Sequence, residues 1–239
     1  MTTHDLYLES GPRRRKTMIH VLDLLGCVAV GPTTEEALAA TPDAIRAYRR
    51  FLCRHGEPVD PEAPVETRVV EHVTAGNWLG SGSPYLVFGP DFDPVSDEEI
   101  ERFLRRVEWL CDEFASWAAT RTDEQLDTRP AGGGRPARAI LLHVIGAQGA
   151  FLAAALGGAP GFGRIQGAAE RGELGLPAAM WRAAALAVER VHATAPRERI
   201  TVRELSSGSY TLRKALRRML EHAWEHLTEL SRRPDGPEL

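Results

Sequence analysis

The stretch RRMLEHAWEHLTELSRR, residues 217–233, has the period of an amphipathic helix. Wound at roughly 100° per residue, Leu216, Met219, Leu220, Ala223, Leu227 and Leu230 fall on one apolar face. On the same wheel His226 lies about 60° from the centre of that face and His222 about 100°. Glu225 points nearly opposite, to water, and Glu221 also faces away from the two imidazoles. The histidines therefore share the flank of the buried stripe, beside the place where another helix packs. Side chains four apart on a helix converge, and neutral imidazole is a strong ligand for zinc, nickel or iron.

Two ligands are too few for a catalytic metal, which takes three from the protein and leaves a position for water or substrate. His143, in RAILLHVIGAQ, is the natural third. It stands in the most apolar helix of the chain, where an unpaired polar ring would be costly, and Ile140, Ala147 and Ala154 share its face. The plainer reading stays open: an HxxxH pair arises by chance, and a lone core histidine is ordinarily bonded to a backbone carbonyl. His192 competes as a ligand, although a solvated place at a helix end explains it as well. His4, His20, His55 and His72 are scattered through the N-terminal half and receive no role.

Outward from this helix the C-terminal half reads as a bundle. SDEEIERFLRRVEWLCDEFASWAAT opens on Ser96 and Glu99, a capping box, and carries a stripe of period 3.6 that includes Cys111. ARAILLHVIGAQGAFLAAAL is apolar almost all round. LPAAMWRAAALAVERVHAT has Pro177 in its first turn. With the last helix these predict four helices and a long middle connection, a four-helix bundle over 96–233. Tyr210, Trp181 and Arg182 are candidates for lining its pocket.

Residues 1–73 read as mixed α/β. TMIHVL (17–22), a short apolar strand ending at Gly31 and ETRVVEHV (66–73) are strands. Between them Thr33 and Glu36 form a second capping box, followed by a helix with Leu38, Thr41, Ile45, Tyr48 and Leu52 on one face. Pro42 inside it predicts a kink or a late start. Residues 74–95, rich in Gly, Ser, Pro and Asp, are the linker, part of which packs through Trp78, Tyr85 and Phe88. The fold class is thus α+β.

A chain of 239 residues has room for both parts. Its formal net charge of −4 argues against broad nucleic-acid binding, and RRRK at 13–16 reads as a solvated turn between strands. The start has no secretory h-region, and no run of about 18 apolar residues predicts a membrane span. Three dispersed cysteines without a CxxC pair suit reduced thiols and a cytoplasmic location.

Two resemblances add to this. From about Asp97 to Arg233, through LLHVIGAQGAFLAAAL and YTLRKALRRMLEHAWEHLTEL, the chain resembles the DinB-like superfamily (damage-inducible protein B and its relatives). The resemblance implies a four-helix bundle with a three-histidine metal site, and carries over to His143, His222 and His226. It further implies a divalent metal, zinc or nickel foremost, and a metal-dependent transferase or hydrolase acting on a small molecule with a low-molecular-weight thiol.

LDLLGCVAVGPTTEEALAATPDAIRAYRRFLCRHGEPV is similar to the HicB antitoxin family, through Asp23, Gly26-Cys27, Gly31, Thr34 and Glu36-Ala37-Leu38. It departs from that family at Leu25, where proline is usual, and at Pro42. This resemblance implies a small, degenerate ribonuclease-H-like domain that recognises a protein partner and is not itself catalytic. The alternative function is therefore a non-catalytic binding protein of toxin-antitoxin type. A homodimer is expected because bundles of the DinB-like kind pair, and neither nucleic acid nor membrane is an expected partner.

Overall fold

The computed structural model describes residues 3–11 and 16–239. Of the RRRK turn, Arg13, Arg14 and Arg15 lie outside the described residues, and Lys16 opens a strand. Strands β1 (Thr3–Gly11), β2 (Lys16–Val21) and β3 (Val28–Gly31) form an antiparallel meander. Helix α1 (Thr34–Arg54) then crosses over, and β4 (Glu66–Val73) pairs in parallel with β1, giving the order β3-β2-β1-β4. β1 is absent from the sequence reading. α1 runs through Pro42 from Thr34 onward, so the late start is corrected: Thr33 caps the helix by accepting from Glu36 N–H, and that first turn holds ahead of the proline.

The turn between β2 and β3 depends on one glycine. Gly26 has φ +106°, and a Cβ there would stand 2.1 Å from Tyr48 Oη, whose hydroxyl donates to Leu25 O at 2.9 Å. Gly26→Ala is expected to cost about 1–3 kcal/mol from backbone strain and overpacking together, read as a lower midpoint in urea unfolding.

The helical half contains α2 (Asp97–Ala119), the short α3 (Asp123–Asp127), α4 (Ala137–Leu156), α5 (Phe162–Glu170), α6 (Leu176–His192) and the single turn α7 (Pro196–Arg199). A small hairpin follows, β5 (Arg203–Leu205) with β6 (Gly208–Tyr210), and then α8 (Leu212–Ser231). α2, α4, α6 and α8 are the four long helices of the bundle. α2 packs on α6 and α8, and α4 on α6 and α8. Both capping boxes form where the sequence places them or nearly so: Ser96 with Glu99 reciprocally, Thr33 with Glu36 through the forward bond. Among the described helices α4 has the length and composition to cross a membrane. Here its Leu141, Val144, Ile145 and Leu152 are buried in the bundle core.

One apolar core runs from the sheet into the bundle, from Leu6, Ile19 and Tyr48 through to Leu220 and Leu227. Tyr48 and Phe51 of α1 meet Trp224 of α8, with ring centroids 5.0 and 5.2 Å away. Segment 74–95 is held down along its length. Gly82 and Ser83 donate their N–H groups to the buried Glu9, and Asp91 binds Arg217.

Candidate metal centre

α8 carries the site because it is wedged between two neighbours. Its Leu216, Met219, Leu220, Ala223, Leu227 and Leu230 are buried, as the wheel predicts. A second face is buried too. Arg217, Arg218 and Glu221 are each at most 2 % exposed, covered by β1, β2 and segment 74–95. Glu221 Oε2 accepts from Arg217 and Arg218, and Oε1 lies 2.9 Å from His20 Nδ1. Glu221 does face away from the imidazoles, but into protein. His222 and His226 occupy the strip left between these two faces, on the side of α4.

There His143 meets them. His222 Nε2 lies 3.0 Å from His143 Nε2 and 3.2 Å from His226 Nε2. The three rings stand steeply to one another, with centroids 4.5–5.2 Å apart. Three nitrogens held about 2.0–2.1 Å from one tetrahedral ion are about 3.3 Å apart, so this donor set fits a metal nearly as it stands. His226 is buried, His222 half-buried and His143 exposed. The burial expected for His143 is thus corrected: α4 turns this part of its apolar surface outward, and the ring stands at the open edge of the cluster.

The surroundings keep the rings ready to bind. Partial desolvation by the neighbouring rings first, then proximity to His226 and the positive charge of Arg135, pulls His143 below the usual histidine range even though the ring as a whole stands exposed. Burial pulls His222 well below it, with His226 and Arg218 adding to the effect. Both are neutral at pH 7, with lone pairs available. The Phe151 ring stands edge-on to His222 at 5.8 Å, and Arg135 Nη2 lies 3.4 Å from His226 Nδ1. Glu229, which the sequence reading passes over, is 2.7 Å from that same Nδ1. Its position three residues after His226 is the only sequence signal it offers.

Other expected participants lie elsewhere. His192 pairs with Glu101 on the surface. Trp181 is 47 % exposed and donates to Asp112, Arg182 lines a surface groove with Ile165 and Leu186, and Tyr210 lies under Lys214. His192, Trp181 and Tyr210 are drawn off by nearer partners and Arg182 by its place on that groove, so none lines the cluster. A cavity of about 550 Å³ lies on another side of α8, facing α1 and β3, with Val30, Ala44 and Trp224 in its wall and Glu229 at its margin; none of the three histidines lines it.

These features define a class: a helical bundle whose second and last long helices bring together three histidines able to hold a divalent ion. The DinB superfamily model matches residues 100–230, more than half of the chain, and the chain belongs to that superfamily. The match begins after the sheet, at the first residues of α2. No curated protein and no solved structure matches the chain.

Proposed function

We propose that His143, His222 and His226 hold one divalent metal, zinc or nickel, and that the chain is a metal-dependent transferase or hydrolase acting on a small molecule with the help of a low-molecular-weight thiol. The observation that carries this reading is the convergence of three Nε2 atoms from α4 and α8 at near-coordination spacing. A divalent ion at such a site supplies Lewis-acid chemistry to whatever occupies its remaining position. The neutral rings of His143 and His222 offer lone pairs without first losing a proton. Arg135 sets a positive charge beside the cluster and favours an anionic substrate group or a thiolate. The Phe151 ring sets an apolar edge beside His222. The unbridged Cys27, Cys53 and Cys111 are in keeping with a reducing, cytoplasmic location.

Protein purified without a polyhistidine tag is expected to carry about one equivalent of metal per chain, and His143→Ala to lose most of it. A metal-free wild type that binds added zinc or nickel no better than His143→Ala sinks the reading.

A second reading rests on β4. It is an edge strand with Val69 and Val70 47 % and 48 % exposed, the kind of edge that can receive a strand from another protein. Residues 1–73 then act as a HicB-like docking domain joined by 74–95 to a bundle, 96–233, that serves as scaffold. Metal content in the wild type that is unaffected by His143→Ala would favour this reading.

A further inference from the structure

The three histidines are not held alike. Among the described residues, neither His143 nor His222 has a hydrogen-bond partner on Nδ1. His226 has Glu229, one turn further along α8, with Oε2 2.7 Å from Nδ1. A carboxylate only accepts, so Nδ1 carries a proton, and in the neutral ring Nε2 is left bare; Arg135 Nη2, 3.4 Å from that Nδ1, then finds no lone pair there and faces the Glu229 carboxylate. That bare nitrogen is the one turned to His222, 3.2 Å away.

Glu229 is itself pinned. Arg135 Nη2 lies 3.5 Å from Oε2 and Arg233 Nη2 3.6 Å from Oε1, while Arg233 Nη2 is anchored on Arg135 O at 2.9 Å. A surface pair three residues apart on a helix is ordinarily worth little. This pair differs because His226 is only 6 % exposed and its ring has one orientation in which Nε2 joins the cluster.

We propose that Glu229 is the positioning residue of the cluster: it fixes the tautomer and rotation of His226 so that Nε2, and not Nδ1, is presented beside His143 and His222. The consequence for metal affinity rests on the metal reading above; the tautomer does not. Outer carboxylates of this kind orient metal-binding histidines and raise their basicity, and their loss typically costs about 10–100-fold in affinity.

The test uses the full chain, wild type, Glu229→Ala and Glu229→Gln, each checked for its helical circular dichroism. Nitrogen-15 NMR of the imidazoles in metal-free protein reads the His226 tautomer, and competition against a zinc-binding dye reads affinity for zinc alone. In wild type His226 is expected to carry its proton on Nδ1. Glu229→Ala is expected to move that population towards Nε2 and to weaken zinc about 10–100-fold. Glu229→Gln keeps an acceptor oxygen, so it is expected to retain the wild-type tautomer and most of the affinity. An unchanged His226 tautomer in Glu229→Ala overturns the proposal whatever zinc does. A changed tautomer with unchanged zinc affinity overturns its bearing on the metal. Wild type that binds no zinc defeats the metal reading, and the NMR result then decides the role of Glu229 separately.

Discussion

Glu221→Ala is expected to destabilise the fold by about 3–5 kcal/mol, the usual cost of removing one partner from a buried ion pair. Glu221 is 1 % exposed and faces three groups at once, with Arg217 at 2.9 Å, Arg218 at 2.8 Å and His20 at 2.9 Å. Burial would push its carboxyl up, yet Arg217, His20 and Arg218 outweigh that and hold it far below the usual range. Without it, two guanidiniums and an imidazole stay buried with only Asp91 and Glu9 to answer them. A loss of this size is a large share of the ~5–15 kcal/mol by which most domains are stable. Glu225→Ala is the control: Glu225 is 23 % exposed and 4.0 Å from Lys16, and is expected to change stability by less than ~1 kcal/mol. Urea unfolding of both variants checks the contrast. Equal, small effects would mean that the cluster is solvated and that the sheet does not seal this face of α8.

That second sealed face marks the limit of what the sequence discloses. The first face is legible because Leu216, Met219, Leu220, Ala223, Leu227 and Leu230 repeat with the helical period, and burial of apolar residues is a local pattern. The same logic finds α2, while unbroken apolarity marks α4 and Pro177 the first turn of α6, and the wheel places His222 and His226 on the flank where another helix packs. Arg217, Arg218 and Glu221 give the opposite signal, since charged residues on a helix read as a solvated face. They are buried only because Glu9, His20 and Asp91, more than a hundred residues away in sequence, come to meet them. Pairing at that range leaves no local period. His143 fails for a related reason: α4 is apolar on nearly every side, so its sequence cannot say which side stays open. Glu229 is missed because its partner is a histidine already assigned as a ligand, and the wheel places it near the histidines without giving it a task.

Rising pH is expected to erode the same joint between sheet and bundle, through His20. This ring is 1 % exposed, with Glu221 2.9 Å from Nδ1 and Glu9 3.5 Å from Nε2, while Arg217 and the Phe88 ring also face it. Burial alone would lower its pKa, but Glu221 and Glu9 outweigh burial and raise it. A base whose folded pKa exceeds its unfolded value binds its proton more tightly when folded. Its stabilisation is complete below the unfolded value near 6.5 and is lost as pH rises through the raised, folded one. Other groups bend the curve differently. Lys214, pulled down to about 8 chiefly by burial, makes stability rise between that pH and its unfolded value of 10.5. His143 and His222, held below 6.5, make it fall on acidification. The difference between wild type and His20→Gln removes these shared contributions. Wild type is expected to exceed His20→Gln in unfolding midpoint by its full margin at pH 6, and by a shrinking margin as pH rises through the folded pKa of His20. A margin that is flat across that range, or that widens with pH, would show that His20 is neutral in the folded protein and that the buried carboxylates are balanced without it.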